Sequence, residues 1–203
     1  MSPKTILIWQ TTMNCLYLVL LGLLAMSAYF GFVSSRSLRS ASFLAINLLF
    51  ISLFMVRRPA KEESSSLWPW MFGMGAMTLP LLMHIQQSGG FVQLGTSLQI
   101  AGLAGVGVGL LSLRRSFAVA PANRGVRDGG AYRLVRHPIY ISEMVVMLGI
   151  VFANPGTRNL VIWLAVCGLQ FARALAEEEL LSNDPVYRAY RERVRYRLIP
   201  GLL

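Results

Sequence analysis

The chain has 203 residues, 55% of them hydrophobic and 14% charged, with a mean hydropathy of +0.54. A soluble domain carries about a quarter charged residues, so this composition excludes a protein whose whole surface faces water. The formal net charge of +10 does not indicate nucleic acid. The basic residues lie between long apolar runs and in the C-terminal quarter, where the positive-inside rule and anionic headgroups place them, and no nucleic-acid motif accompanies them.

A helix needs about 20 apolar residues to cross the hydrocarbon layer. Residues 6–33, 38–56, 67–86 and 94–113 meet that requirement, separated by polar breaks at 34–36, 57–63 and 87–90. The first run is too long for the apolar core of a cleaved signal and is expected to be a membrane helix. Gly102, Gly105, Gly107 and Gly109 suit close helix packing in the fourth run, and Asn14, Asn47, His84 and Gln99 suit interhelical hydrogen bonds. A polar stretch, 114–138, comes next. Two further apolar runs, 138–153 and 159–176, are joined by Asn154-Pro155-Gly156-Thr157, a breaker sequence that predicts a helical hairpin. Its first arm is only about 24 Å long, short for a full crossing. Asn183 or Asp184 followed by Pro185 signals the start of a last helix. Tyr187, Tyr190 and Val194 share one of its faces, so it is expected to lie on headgroups or cover a pocket. Cys15 and Cys167 fall inside apolar runs, which predicts neither a disulfide nor a zinc site.

These elements predict an all-α, multi-pass transmembrane bundle of about five to six membrane helices, the last two forming the hairpin, with a C-terminal amphipathic helix. Residues 1–113 form its N-terminal transmembrane half and 114–203 the half that carries the polar clusters. Loops 57–63 and 114–136 and the tail are rich in Arg and Lys, whereas loop 87–93 is uncharged. An even number of crossings then puts the basic segments and the N-terminus in the cytoplasm, with Arg36, Arg39 and Arg158 as mild exceptions.

Two clusters stand out in the second half. In Gly129 to Tyr140, Pro138 suits the first turn of a helix and His137 its N-cap. The free N–H groups of that turn, with Arg136, make a place for a carboxylate or phosphate. The structural alternative is a helix start against lipid headgroups. The second cluster is Arg173 with Glu177-Glu178-Glu179, three of only nine acidic residues in the chain. Arg173 and Glu177 are four apart and share a face. Carboxylates at a helix C-terminus oppose the macrodipole, so they need partners, and the hairpin brings both clusters to one membrane face. Cationic and anionic groups together suit a zwitterionic ligand. Glu143, one turn inside the helix after Pro138, also needs a partner or a cavity.

From about residue 113 to 200 the chain resembles the isoprenylcysteine carboxyl methyltransferase and phospholipid methyltransferase superfamily of membrane enzymes. The resemblance rests on Ser116-Phe117…Pro121, on Gly130-Ala131-Tyr132-Arg133-Leu134-Val135-Arg136-His137-Pro138-Ile139-Tyr140 and on Gly149. It continues through Arg173…Glu177-Glu178-Glu179-Leu180-Leu181, Tyr187, Tyr190, and Val194 to Pro200. It implies S-adenosylmethionine at the cytoplasmic face, held by Arg136, His137, Pro138, Tyr140, Glu177 and Glu178, with Tyr132, Leu134 and Val135 near the adenosine. It also implies methyl transfer to a lipophilic acceptor from the bilayer, most simply the carboxylate of an isoprenylcysteine-like lipid. Arg173 then orients the acceptor, and Glu177, Glu178 or Glu143 assists an amine acceptor; no metal or nucleic acid takes part. Phospholipid amine N-methylation is the alternative within the superfamily. Membrane sterol and isoprenoid reductases, which use NADPH, share a related Arg-His-Pro-Asn-Tyr-x-Gly-Glu pattern. Here Ile139 and Ser142 depart from it and Glu143 matches it. A non-enzymatic membrane scaffold is the reading from another class.

Overall fold

The computed structural model describes residues 3–64, 66–84, 91–118 and 121–202, and in it the long apolar runs are helices. α1 (Pro3–Ser35) and α2 (Leu38–Met55) form an antiparallel pair. The reversal between them is made by Arg36, whose φ of 45° is left-handed, and by Ser37, whose hydroxyl accepts the Ser40 N–H at 3.2 Å as an N-cap. Large apolar side chains such as Ile8, Val19, Leu23, Phe30 and Leu48 are exposed along this pair. Patches of that extent belong against lipid rather than water.

α3 (Leu67–Thr78) is shorter than its apolar run suggests, and the chain continues as a single 3-10 turn, Leu79–Leu82. Pro80 explains the break: it has no N–H to donate and its ring crowds the carbonyl four residues back. The expected span 67–86 is therefore not a single crossing helix, and its last residues, with the uncharged break 87–90, lie outside the described residues. Among the described residues four helices are long and apolar enough to cross a membrane: α1, α2, α4 (Val92–Leu113) and α6 (Thr157–Leu181). α5 (Pro138–Ala153) is apolar but shorter.

The hairpin of α5 and α6 is present, with its second arm longer than the apolar run 159–176. The helix continues through Glu177, Glu178 and Glu179 to Leu181 because the first two acids have partners across the hairpin, described below. Asn159 ties the opposite end together. Its side chain donates to the Asn154 and His84 carbonyls at 2.8 and 2.9 Å and accepts the His84 N–H at 2.8 Å.

α4 and α5 make the most extensive helix contact in the bundle, and glycines set its distance. A Cβ on Gly149 would lie 2.5 Å from the Gly95 carbonyl oxygen, one on Gly102 2.7 Å from Val146, and one on Gly109 2.6 Å from Ile139. Gly107 instead faces Ile46 of α2. Gly149→Ala is expected to force the helices apart and cost about 1–3 kcal/mol, as overpacking does. Gly22→Ala, with nothing within 4 Å of the added carbon, is expected to be neutral. Thermal unfolding of both variants in detergent micelles checks the contrast.

At the end of the bundle where α5 starts, the three basic segments are knitted together. Residues Glu62–Glu63 and Ala122–Asn123 pair as a two-residue antiparallel ribbon, a small departure from an all-helical chain. Buried Arg124 donates to the Arg58 carbonyl and to Glu63, at 3.3 Å for the latter. α7 (Pro185–Arg193) closes this end, with Asp184 as its N-cap accepting from the Val186 N–H at 2.8 Å. Its Tyr187, Tyr190 and Val194 pack on Tyr132 rather than facing outward, and the Tyr190 hydroxyl donates to the Tyr132 carbonyl at 2.8 Å.

The Asp184 carboxyl also accepts from Asn123 Nδ2 at 2.8 Å. That bond and the cap hold its pKa below the ordinary aspartate value. A depressed folded-state pKa means the contribution is complete above about pH 4, the unfolded value, and is lost as pH falls through the lower folded value. Asp184→Ala is expected to cost about 1 kcal/mol. Hydrogen exchange is expected to show α7 losing protection in the variant at neutral pH, and in the wild type only in acid.

Candidate active site

The site lies where α5 begins and α6 ends. Pro138 starts α5 at its first position and His137 is the N-cap residue, but the imidazole makes no capping bond. Its segment is pinned from the other side: the Arg136 N–H donates to the Tyr196 carbonyl at 3.0 Å and the His137 N–H to the Arg197 carbonyl at 2.9 Å. The His137 ring is therefore free to turn toward α6, where the acids of the second cluster stand.

Glu178, 4% exposed, is the hub. Arg136 Nε donates to its Oε1 at 2.9 Å and Nη2 to its Oε2 at 3.4 Å. Arg197 Nε and Nη2 donate at 3.0 and 2.9 Å. His137 Nε2 stands 3.1 Å from the same carboxylate. The Arg197 guanidinium is pushed above its ordinary pKa first by its hydrogen bonds to Glu178. A buried carboxylate is tolerated when charge-assisted bonds meet its oxygens, and two guanidinium groups and an imidazole do so here. Sequence reasoning expected Arg136 and Glu178 to meet a ligand directly; the structure has them meeting one another.

Glu177, one residue earlier, turns the other way. Its side chain is 28% exposed. It accepts from the Tyr140 hydroxyl at 2.6 Å, and His137 Nδ1 lies 3.8 Å from the same oxygen. Tyr140 stacks on His137 with centroids 5.1 Å apart and planes at 9°. The Arg173 guanidinium sits over the other aromatic partner, 4.7 Å from the Tyr140 ring centre. One turn deeper on α5, Glu143 accepts a short bond from Gln170 Nε2.

These groups line one end of a cavity of about 460 Å³. The polar end carries Tyr132, His137, Tyr140, Glu143, Gln170, Arg173 and Glu177; the rest is walled mostly by apolar residues, including Leu24, Phe43, Phe50, Met77 and Leu81, with Ser27 and Asn47 among them. The cavity thus draws on both sides of the division at residue 113. Tyr132 contributes a phenol whose pKa burial raises well above the ordinary range, so it is a neutral hydroxyl at any physiological pH.

Of the residues singled out in the sequence, Tyr132, His137, Tyr140, Arg173 and Glu177 share this cavity. Arg136 and Glu178 form its support, outside the lining. Val135 and Pro138 are buried beside it, and Leu134 is 69% exposed and faces away. Arg197, Gln170, Tyr17 and Asn47 were not expected at the site. Nothing in spacing distinguishes Arg197 from Arg195, and Gln170 is readable only as the residue one turn before Arg173 on the same face.

No curated protein matches the chain. A family model does, from residue 6 to residue 194, so that the N-terminal helices and the hairpin fall within one match. The chain therefore belongs to the family described as protein of unknown function (DUF1295).

Proposed function

We propose that the protein transfers the methyl group of S-adenosylmethionine to a lipophilic acceptor, with carboxyl O-methylation of an isoprenylcysteine-like lipid the favoured reaction and phospholipid amine methylation the alternative. One observation carries this reading. A single cavity joins a charged end, built from Glu177, His137, Tyr140 and Arg173, to an apolar wall drawn from the long apolar helices. The resemblance to membrane methyltransferases in the Arg136-His137-Pro138 and Glu177-Glu178 segments adds to it.

The residues present suit the methyl donor. The volume is within the range of small-ligand pockets. Glu177 has one oxygen on the Tyr140 hydroxyl and capacity to accept an ammonium group as well. His137, stacked on Tyr140 by one ring face, leaves its other face to a ligand. When bound, S-adenosylmethionine supplies an electrophilic methyl group on a sulfonium. The chain does the rest by positioning. Arg173 orients an acceptor carboxylate, which is already a nucleophile and needs no base. The Glu178 clamp fixes His137 and, through stacking, Tyr140. The apolar wall excludes water and holds the lipid tail. Orienting two bound reactants in this way accounts for several kcal/mol of a barrier. The basic segments gathered at this end support a cytoplasmic site.

Methyl-labelled S-adenosylmethionine incubated with membranes containing the protein tests the proposal. Label is expected in the lipid extract, released by mild base as the ester requires, and reduced with Glu177→Gln. Base-stable label identifies an amine acceptor. No lipid label under any acceptor supply tells against methyl transfer. Glu143, which occupies the glutamate position of the reductase pattern and lines the same cavity, favours the second reading, an NADPH-dependent reductase.

A further inference from the structure

α1 also sends a polar side chain to the cavity. Tyr17 lies on the face of α1 that carries Leu21 and Leu24 to the cavity wall, at the spacing of one helix face. It is 4% exposed, and its ring packs on Phe54 of α2 with centroids 5.2 Å apart. A phenylalanine would pack there as well, so the hydroxyl is the feature to explain. It makes no hydrogen bond among the described residues. The Tyr187 hydroxyl, likewise without a partner, is shut inside protein; the Tyr17 hydroxyl is not, so the surface it keeps opens on the cavity. A hydroxyl in apolar surroundings is costly until something meets it. Of the charged groups around it, Arg173 acts on it most strongly, ahead of Glu143 and Arg57. Glu143 is already engaged by Gln170, and Arg57 lies over the Phe54 ring.

We infer that Tyr17 is an acceptor-binding residue, its hydroxyl donating to the carboxylate that Arg173 orients. This rests on the methyl-transfer reading and chooses between its two acceptors. The positive charge of Arg173 makes the place one for an anion, so the phenol serves there as a donor. A carboxylate has two oxygens that only accept, and a guanidinium and a phenol together suit it, each through a charge-assisted bond. A protonated amine would meet Arg173 as a like charge. The two donors come from opposite ends of the chain, Arg173 from α6 and Tyr17 from α1. The residues proposed for the methyl donor, Glu177, His137 and Tyr140, all belong to the second half. A change at Tyr17 therefore bears on the acceptor and spares the donor.

Tyr17→Phe removes the hydroxyl and keeps the ring against Phe54. The full-length protein in micelles is titrated with N-dodecanoylglycine, a carboxylate on an apolar tail, with dodecylamine, and with S-adenosylmethionine. The variant is expected to bind the carboxylate about tenfold more weakly than the wild type, the low end for a hydrogen bond to a charged group. Dodecylamine and S-adenosylmethionine are expected to behave alike with both proteins. Comparing each probe between the two proteins cancels its partition into the micelle. If Tyr17→Phe does not fold, Tyr17→Leu is expected to give the same selective loss. Unchanged carboxylate affinity in the folded variant, an equal loss for both long-chain probes, or no binding of the carboxylate by the wild type overturns the inference. A wild type that does not bind S-adenosylmethionine, with the carboxylate loss persisting in the variant, counts against methyl transfer instead and leaves Tyr17 standing as a carboxylate-binding residue.

Discussion

Glu178→Ala is expected to destabilise the protein by about 3–5 kcal/mol, the loss seen when one partner of a buried charge cluster is removed. The size follows from what remains. Arg136, with a side chain only 9% exposed, and His137, at 6%, would keep their burial and lose their carboxylate. Arg197, at 23%, would retain some water and suffer least. The same carboxylate ties α6 to the start of α5 and to the segment after α7, so its loss loosens the end of the bundle as a unit. Thermal unfolding in micelles is expected to show a lower midpoint. Hydrogen exchange is expected to place the new opening in 134–138 and 194–198. Glu178→Gln keeps the shape and one acceptor oxygen, and is expected to fall between wild type and alanine.

Glu177→Gln, one residue away, is expected to do the reverse. The amide oxygen still accepts the Tyr140 hydroxyl, and the side chain is partly exposed, so the unfolding midpoint is expected to stay near the wild-type value. Affinity for S-adenosylmethionine is expected to drop about 10- to 100-fold, the worth of a charge-assisted hydrogen bond of about 1.5–3 kcal/mol. Calorimetric titration measures it. The adjacent acids thus separate cleanly. Substitution at 178 moves stability and, through it, binding; substitution at 177 moves binding alone.

The helices were legible wherever an apolar run was long and uninterrupted, as in α1, α2 and α4, since composition at that length admits few alternatives. α3 shows the limit of run length as a guide: the stretch stays apolar past Leu79, but Pro80 ends the regular helix. α6 shows the opposite error. Its acidic end looked like a terminus, yet the helix continues because Glu177 and Glu178 find partners 37 and 42 residues away in sequence. The site divides in the same way. Arg136, His137, Arg173 and Glu177 stood out because ionisable groups at a membrane face are scarce and costly, and Tyr140 through the resemblance alone. Which of the two acids faces the cavity was not legible. Neighbours on a helix point about 100° apart, and only the packing of the tail, through Arg197, decides that Glu178 is the one enclosed. Gln170 was invisible for a related reason, since its partner Glu143 stands on a different helix.

Equilibrium binding of S-adenosylmethionine and of NADPH to the purified protein bears most directly on the proposed cavity chemistry. Saturable binding of S-adenosylmethionine is expected, weakened by Glu177→Gln and displaced by S-adenosylhomocysteine, with no binding of NADPH. Saturable NADPH binding without S-adenosylmethionine binding, or binding of neither, would contradict it.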